Sequence, residues 1–303
     1  MIESGSLTPG IDVAAFGLPE GTALRLEQPA PLLTRYIRDY HVFDSEEWQH
    51  DIENWLLPAW PAIRIVLADR PIRLQIGAWD YNPLPVASLY GTTSRAMRMV
   101  TNGGVTIGAD IGPLGWARLF RTPADRFRDR VVPLETALPG ADVAGLVARL
   151  RASNQSTEVK PILDDFFRST LLSPSPDEPL IAAVIRLLMD PATRDIDTAA
   201  AAVGISASQL RRLSTRYFGF PPKTLLLRTR FLRTFMPMFE SGMTNALPAD
   251  TWYHDMPHFL RDARRFIGTT PRRFLARDLP YLHANIRALR HFAGVVRANG
   301  TRA

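Results

Sequence analysis

From residue 62 the chain alternates apolar and polar positions in short bursts. "AIRIVLA" (62–68) and "IRLQIG" (72–77) share a two-residue period with "DRP" between them, which predicts two strands joined by a turn. "VASLYG" (86–91), "RAMRMV" (95–100) and "VTIGADIG" (105–112) continue at short spacing, broken by Gly, Pro and Asn. Several short strands with turn signals predict a barrel or sandwich. After Pro139 the period becomes helical in "ADVAGLVARLRA" (141–152), "VKPILDDFFRSTLL" (159–172) and "EPLIAAVIRLLM" (178–189). "SPSPDEP" (173–179) reads as a loop, Pro191 closes the last of these helices, and everything beyond it reads as helical. The fold class is α+β. A β-rich, barrel or cupin-like domain (1–138) precedes a helical segment (139–192), an all-α domain (193–278) and an extra C-terminal helix (279–303). In that last helix Leu282, Ile286, Leu289, Ala293 and Val296 form a stripe that predicts packing back on the protein.

The all-α part contains a repeat. "LRRLSTRYFGFPPK" (210–223) returns 49 residues later as "FLRDARRFIGTTPR" (259–272). Leu210 pairs with Phe259, Arg212 with Arg261, Arg216 with Arg265, Gly219 with Gly268 and Pro222 with Pro271. Upstream of the first copy, Asp195 or Asp197 caps a short Ala-rich helix that Gly204 ends, and Ser206 caps a second helix that Gly219 stops. Helix, Gly-containing turn, helix is the layout that places its second helix in a major groove. In the second copy Asp255 falls where Ser206 falls, and Pro257 sits harmlessly in the first turn.

Charge supports a polyanion partner. Residues 1–195 hold 19 Lys and Arg against 24 Asp and Glu, net −5, whereas residues 196–303 hold 17 against 6, net +11. The positive charge is almost all Arg, with Lys160 and Lys223 the only lysines. Cysteine is absent, which excludes disulfides and thiolate metal sites. No apolar run is long enough for a membrane span and the N-terminus lacks a signal-peptide pattern, so a cytoplasmic protein is expected. An enzyme is not expected. No phosphate-loop, dinucleotide, metalloprotease or nucleophile-elbow phrase occurs, and His41 and His50, the only histidines before residue 196, show no ligand spacing. Neither a metal nor a cofactor is expected. Trp48, Trp55, Trp60, Trp79 and Trp116 concentrate in the β-rich half, either as core filling or as the lining of a ligand pocket.

Residues from about 193 to 276 resemble the DNA-binding domain of the AraC/XylS family of transcription regulators. Ala200, Gly204, Ser206, Leu210, Arg212, Gly219, Pro222 and Arg230 carry the likeness in the first unit. Tyr253, Asp255, His258, Phe259, Arg261, Gly268 and Pro271 carry it in the second. The resemblance implies two helix-turn-helix units joined by a long helix, a promoter DNA partner, and an N-terminal domain that senses a small molecule or forms a homodimer. It makes Ser208, Arg211, Arg212, Pro257, Leu260 and Arg261 candidates for base contacts. Arg216, Lys223, Arg264, Arg265, Arg272 and Arg273 are candidates for phosphate contacts, and His258 for a structural hydrogen bond. Activation and repression both stay open. Pro248, Trp252, Ser214 and Ala263 depart from the family pattern, and Pro237 is expected to kink or end the connecting helix. A second unit that packs poorly, or a regulator-derived protein that binds a partner without reading DNA, is the alternative those departures raise.

Overall fold

The alternating segments become strands. In the computed structural model, which describes every residue except 47–50, 69, 194, 243–245, 249–250 and 301–303, the strands are β1 (Thr22–Glu27), β2 (Ile37–Ser45), β3 (Ile52–Leu56), β4 (Ala62–Val66), β5 (Arg73–Ile76), β6 (Trp79–Tyr81), β7 (Ala87–Tyr90), β8 (Met97–Thr101), β9 (Gly104–Ile111) and β10 (Val131–Pro133). They form a six-stranded sheet of order β1-β2-β9-β4-β7-β10 and a four-stranded sheet of order β3-β8-β5-β6. The named strand pairs are all antiparallel. Trp48, His50 and the Asp69 of the expected turn lie outside the described residues.

Burial along two neighbouring strands explains the layering. In β5, "RLQI" buries Leu74 and Ile76 and exposes Arg73 and Gln75, so one face meets solvent. In β4 both faces are covered. Ile63 and Ile65 join a core shared with the helices, whereas Ala62 and Val66 meet Ile72, Leu74 and Met97 of the smaller sheet. The six-stranded sheet is thus a middle layer, helices on one side and the smaller sheet on the other.

The helices are α1 (Pro113–Leu119), α2 (Leu134–Ala137), α3 (Val143–Ala152), α4 (Val159–Thr170), α5 (Glu178–Met189), α6 (Ile196–Ala202), α7 (Ala207–Phe218), α8 (Pro222–Ser241), α9 (Met256–Phe266), α10 (Pro271–Leu275) and α11 (Pro280–Gly300). Two cores divide them. The sheet-and-helix core runs without a break through Leu146, Phe167 and Ile181 into Leu210, Leu213 and Phe218 of α7 and Leu225 of α8. The second core holds Phe231, Phe235 and Phe239 of α8 with Phe259, Phe266 and Phe274. One 20-residue helix, α8, therefore has its first turns in one core and its remaining turns in the other.

The expected end at Pro237 and the expected loose packing of the second unit need correction. Helix α8 neither ends at Pro237 nor stops short of it; it continues to Ser241. Pro237 sits on the exposed face, while Phe235, Met238 and Phe239 around it are fully buried and hold the last turn in place. Nor is the second helix-turn-helix unit poorly packed. Ala263 is fully buried, and the Phe231 ring stacks on Phe259 and Phe266 at 5.7 and 5.2 Å. The small side chain makes room for aromatic neighbours.

Helix α11 turns back to the N-terminal segment. Arg287 donates from Nε and Nη2 to the Phe16 and Gly17 carbonyls at 3.2 and 2.7 Å, and His291 Nε2 accepts from the Asp12 amide at 2.9 Å. Leu282 and Ile286 of the anticipated stripe are buried, but Ala293 is exposed; Ala288 and Phe292 bury that end against Phe16, Leu24 and Leu26.

Candidate nucleic-acid interface and interdomain cavity

The first unit is built by its caps. Asp195 accepts from the Thr198 amide at 2.8 Å and starts α6. Gly204 then turns with φ 70°. Ser206 and Gln209 form a reciprocal capping box at the start of α7, which Gly219 ends at φ 82°. Helix α7 packs inward through Leu210, Leu213, Tyr217 and Phe218. Ser208, Arg211, Arg212 and Arg216 stand exposed on its other side. Of the family departures, Ser214 is fully buried and its Oγ has no hydrogen-bond partner among the described residues.

The second unit repeats this geometry. Asp255 accepts from the His258 amide at 2.8 Å and caps α9, with Pro257 inside the first turn. Arg261, Arg264 and Arg265 are exposed, as is Pro257, and Leu260 is half-buried. On α10 and its approach, Arg272 and Arg273 are exposed, and Lys223 is exposed at the start of α8. Among the described residues none of Arg211, Arg212, Arg216, Arg261, Arg264, Arg265, Arg272 or Arg273 forms an ion pair with a carboxylate. The unit is tied to α8 by a polar knot: Asp262 accepts from Arg230 at 2.8 Å and from the Tyr253 hydroxyl at 2.7 Å. His258 Nε2 lies 3.2 Å from Arg230 Nη2, so it acts as a structural acceptor. Trp252 has the Arg233 guanidinium 5.9 Å over its ring.

Both units are also fastened to the β-rich domain. Trp60 meets Phe218 edge-to-face at 5.9 Å, and Trp55 meets Phe274 at 5.8 Å. The Ala96 amide donates to the Phe266 carbonyl at 2.7 Å, at the end of α9.

Between these fastenings lies a cavity of about 560 Å³, walled by both sheets, α8 and α11. Its size falls within the about 300–1,000 Å³ of small-molecule sites. Leu56, Val66, Ile72, Met97, Met236 and Leu282 make it largely apolar. Trp55 and Trp60 line it, whereas Trp116 is core and Trp79 is about half exposed. Arg228 enters from α8. It is 3% exposed, donates from Nη1 to the Ala59 and Thr93 carbonyls at 3.0 and 2.9 Å, and lies 4.2 Å over Trp60. Burial pushes its pKa down to about 10, so it stays charged at neutral pH. No carboxylate pairs with it among the described residues.

A second polar group sits further along β4. Arg64 donates to His41 Nε2 at 3.0 Å, so the ring proton resides on Nδ1, 3.4 Å from Asp39 Oδ1. The His41 ring crosses β9 above Gly108, where a Cβ would stand 1.9 Å from Nε2. Asp39, His41 and Asp110 bring their ligand atoms within 4.8 Å of one another, a cluster that sequence spacing did not reveal. The signal was present in two places: Asp39 and His41 share a strand face at i and i+2, and Asp110 is opposite Asp39 only in the tertiary register. Arg64 occupies His41 Nε2 and brings a positive charge to the cluster, which opposes a divalent cation there.

Burial, then the neighbouring Asp39 charge, raises the Asp110 pKa. Such a group binds its proton more tightly folded than unfolded, so it withdraws stability as pH rises from the unfolded value through the folded one. Asp110→Asn is therefore expected to be more stable than wild type at pH 7, with the gap closing as pH falls. Thermal melts across pH 4–8 check this; a gap that widens toward low pH contradicts it.

Residues 199–277 match the family model described as a helix-turn-helix domain. No curated protein matches the chain. Among solved structures it is similar to unsaturated-fatty-acid-bound ToxT from Vibrio cholerae strain SCE256, at 10% identity over 75% of this chain and 91% of that one, with a TM-score of 0.43. It is similar to ToxT from Vibrio cholerae O395 at 9% identity, over 85% and 98%, with a TM-score of 0.41. The AraC-like transcriptional activator CuxR aligns at 11% identity, over 70% and 86%, with a TM-score of 0.18. The C-terminal third of the chain is a helix-turn-helix domain, set behind an antiparallel β-rich domain. Such a domain supports DNA binding. Among the described residues no helix is long and apolar enough to cross a membrane.

Proposed function

We propose that the protein reads a specific duplex sequence with α7 and α9 and that a small anionic, largely apolar molecule in the interdomain cavity modulates the reading. The observation that carries the first part is the pair of capped helices whose outward arginines are exposed and have no carboxylate partner among the described residues. Ser208, Arg211 and Arg212 face base edges in one major-groove segment; Pro257, Leu260 and Arg261 face the next, about 34 Å along the duplex. Arg216, Lys223, Arg264, Arg265, Arg272 and Arg273 hold phosphates. Dense packing of the second unit favours two working readers over the partner-binding alternative.

The second part rests on Arg228. A buried guanidinium without a carboxylate, beside an apolar cavity, favours a ligand with one anionic head and an apolar body. Because α8 spans both cores, a ligand that moves its Arg228 turn changes how the two readers are held. The shift equals the ligand's differential affinity for the two arrangements.

Footprinting on DNA flanking the protein's own gene, at two salt concentrations, tests the reading. Specific protection over two neighbouring groove segments is expected. Arg211→Ala should cost about 1–3 kcal/mol at the specific site and blur one base preference. An unchanged preference in a binding selection would remove Arg211 from the base-reading set.

A further inference from the structure

A recess of about 290 Å³ opens where the β-rich domain meets the first helix-turn-helix unit. Two arginines line it from different elements. Arg216 comes from the last turn of α7, and Arg121 comes from the segment after α1. Thr122, Ser175 and Tyr217 add hydroxyl groups. The floor is aromatic and rigid: Trp116 stacks on Phe120 at 4.2 Å, and its Nε1 donates to the Thr122 carbonyl at 2.9 Å. The Tyr217 hydroxyl is committed to Asp177 at 2.6 Å, which leaves the guanidinium groups as the charged donors of the recess. Arg121 and Arg216 are both exposed and neither pairs with a carboxylate among the described residues. Two like charges lining one recess repel unless an anion lies between them.

We propose that this recess holds a backbone phosphate of the bound DNA, so that Arg121 makes the regulatory domain part of the DNA-binding surface. The inference rests on the reading of α7 as a DNA-reading helix. Its placement follows from helix geometry. Ser208, Arg212 and Arg216 stand at i, i+4 and i+8, an exposed row about 12 Å long at 1.5 Å per residue. Arg121 lines the same recess from the regulatory domain, in a stretch (118–130) that holds five arginines against two aspartates. The duplex backbone flanking the base-reading row is the anion that this line of cations meets. A guanidinium pair suits it, since each arginine can offer two parallel donors to phosphate oxygens. The regulatory domain and α7 then grip one phosphate together. Any movement of one against the other changes DNA affinity without touching a base contact.

Salt dependence measures the number of phosphates neutralised, at a slope of about −0.9 per phosphate in log K against log salt. The experiment uses the full chain, the same DNA fragment, and wild type, Arg121→Gln, Arg216→Gln and the double variant. Each single variant is expected to flatten the slope by up to about 0.9. Wild-type affinity lost between 50 and 200 mM salt should then shrink by about 3.5-fold in each. Because one phosphate is shared, the double variant should flatten the slope no further than about 0.9 in total, and specific and unrelated DNA should be affected alike. An Arg121→Gln slope equal to wild type, with Arg216→Gln flattened, overturns the proposal. A doubled effect in the double variant also overturns it, because the two arginines then hold separate phosphates. Inorganic phosphate that stabilises the DNA-free wild type against melting but not Arg121→Gln, with an unchanged DNA slope, assigns the recess to a free anion and again overturns it. Wild-type protein that binds no DNA at any salt overturns the DNA reading itself, a result distinct from all of these.

Discussion

Arg228→Met is expected to weaken binding of a linear saturated carboxylate by about 30-fold or more and to uncouple DNA affinity from that ligand. The magnitude follows from the burial of the guanidinium. Removing one partner of a desolvated, hydrogen-bonded charge pair costs about 2–5 kcal/mol. Arg228 is 3% exposed and reaches the cavity from α8. Methionine keeps the unbranched body beside Trp60 and removes only the charge and its two bonds to the Ala59 and Thr93 carbonyls. Losing those bonds destabilises, but losing a desolvated charge offsets it, so the variant should retain its fold by circular dichroism. Arg228→Lys restores charge without the planar fork and should recover part of the affinity. Calorimetric titration with carboxylates of increasing chain length reads the effect. Equal affinity in wild type and Arg228→Met would place the head group elsewhere, with Arg64 of β4, which also lines the cavity, next in line.

Phe231→Ala should be the most disruptive single truncation in the C-terminal part. The ring is fully buried and has three stacked neighbours, Phe235 at 5.2 Å, Phe259 at 5.7 Å and Phe266 at 5.2 Å. A buried Phe→Ala change costs about 3–5 kcal/mol, because a cavity replaces the contacts of every neighbour. Here the neighbours belong to α8 and α9, so the loss falls on the seam that attaches the second reader. Hydrogen exchange in α9 and α10 should accelerate by about 150-fold or more, at tenfold per 1.4 kcal/mol. Exchange in α7 should change little, since its core is the one shared with the β-rich domain. The DNA footprint should shorten to one groove segment. Uniform acceleration through both units would show that the two cores open as one.

Much of the helix-turn-helix geometry was legible because caps and turns are local. Asp195, Ser206, Gly219, Asp255 and Gly268 each act within a few residues, and each holds the place their spacing predicts. Exposure of Arg211, Arg212 and Arg261 was legible for a related reason: a helix whose apolar residues recur at three and four must turn its arginines outward. Pro237 misled because its intrinsic cost is also local, whereas the buried Phe235 and Phe239 that outweigh it draw on residues far along the chain. Ala263 misled similarly, since a small residue reads as a missing core side chain until Phe231 and Phe266 are seen to fill the space. The Asp39, His41 and Asp110 cluster was hidden because strand register, not sequence spacing, brings Asp110 to Asp39.

The α+β order, the twofold basic repeat, the caps that frame α7 and α9, and the charge asymmetry that points to DNA can all be read along the chain. Periodicity, capping and net charge need no distant partner to be read. Only folding brought the first helix-turn-helix unit into the core of the β-rich domain, made α8 bridge two cores, buried Arg228 beside an apolar cavity, and placed Arg121 and Arg216 on one recess. Those relations join residues tens to hundreds of positions apart. They depend on which faces find each other when the chain collapses, and hydrophobic burial rewards area without specifying a partner in advance.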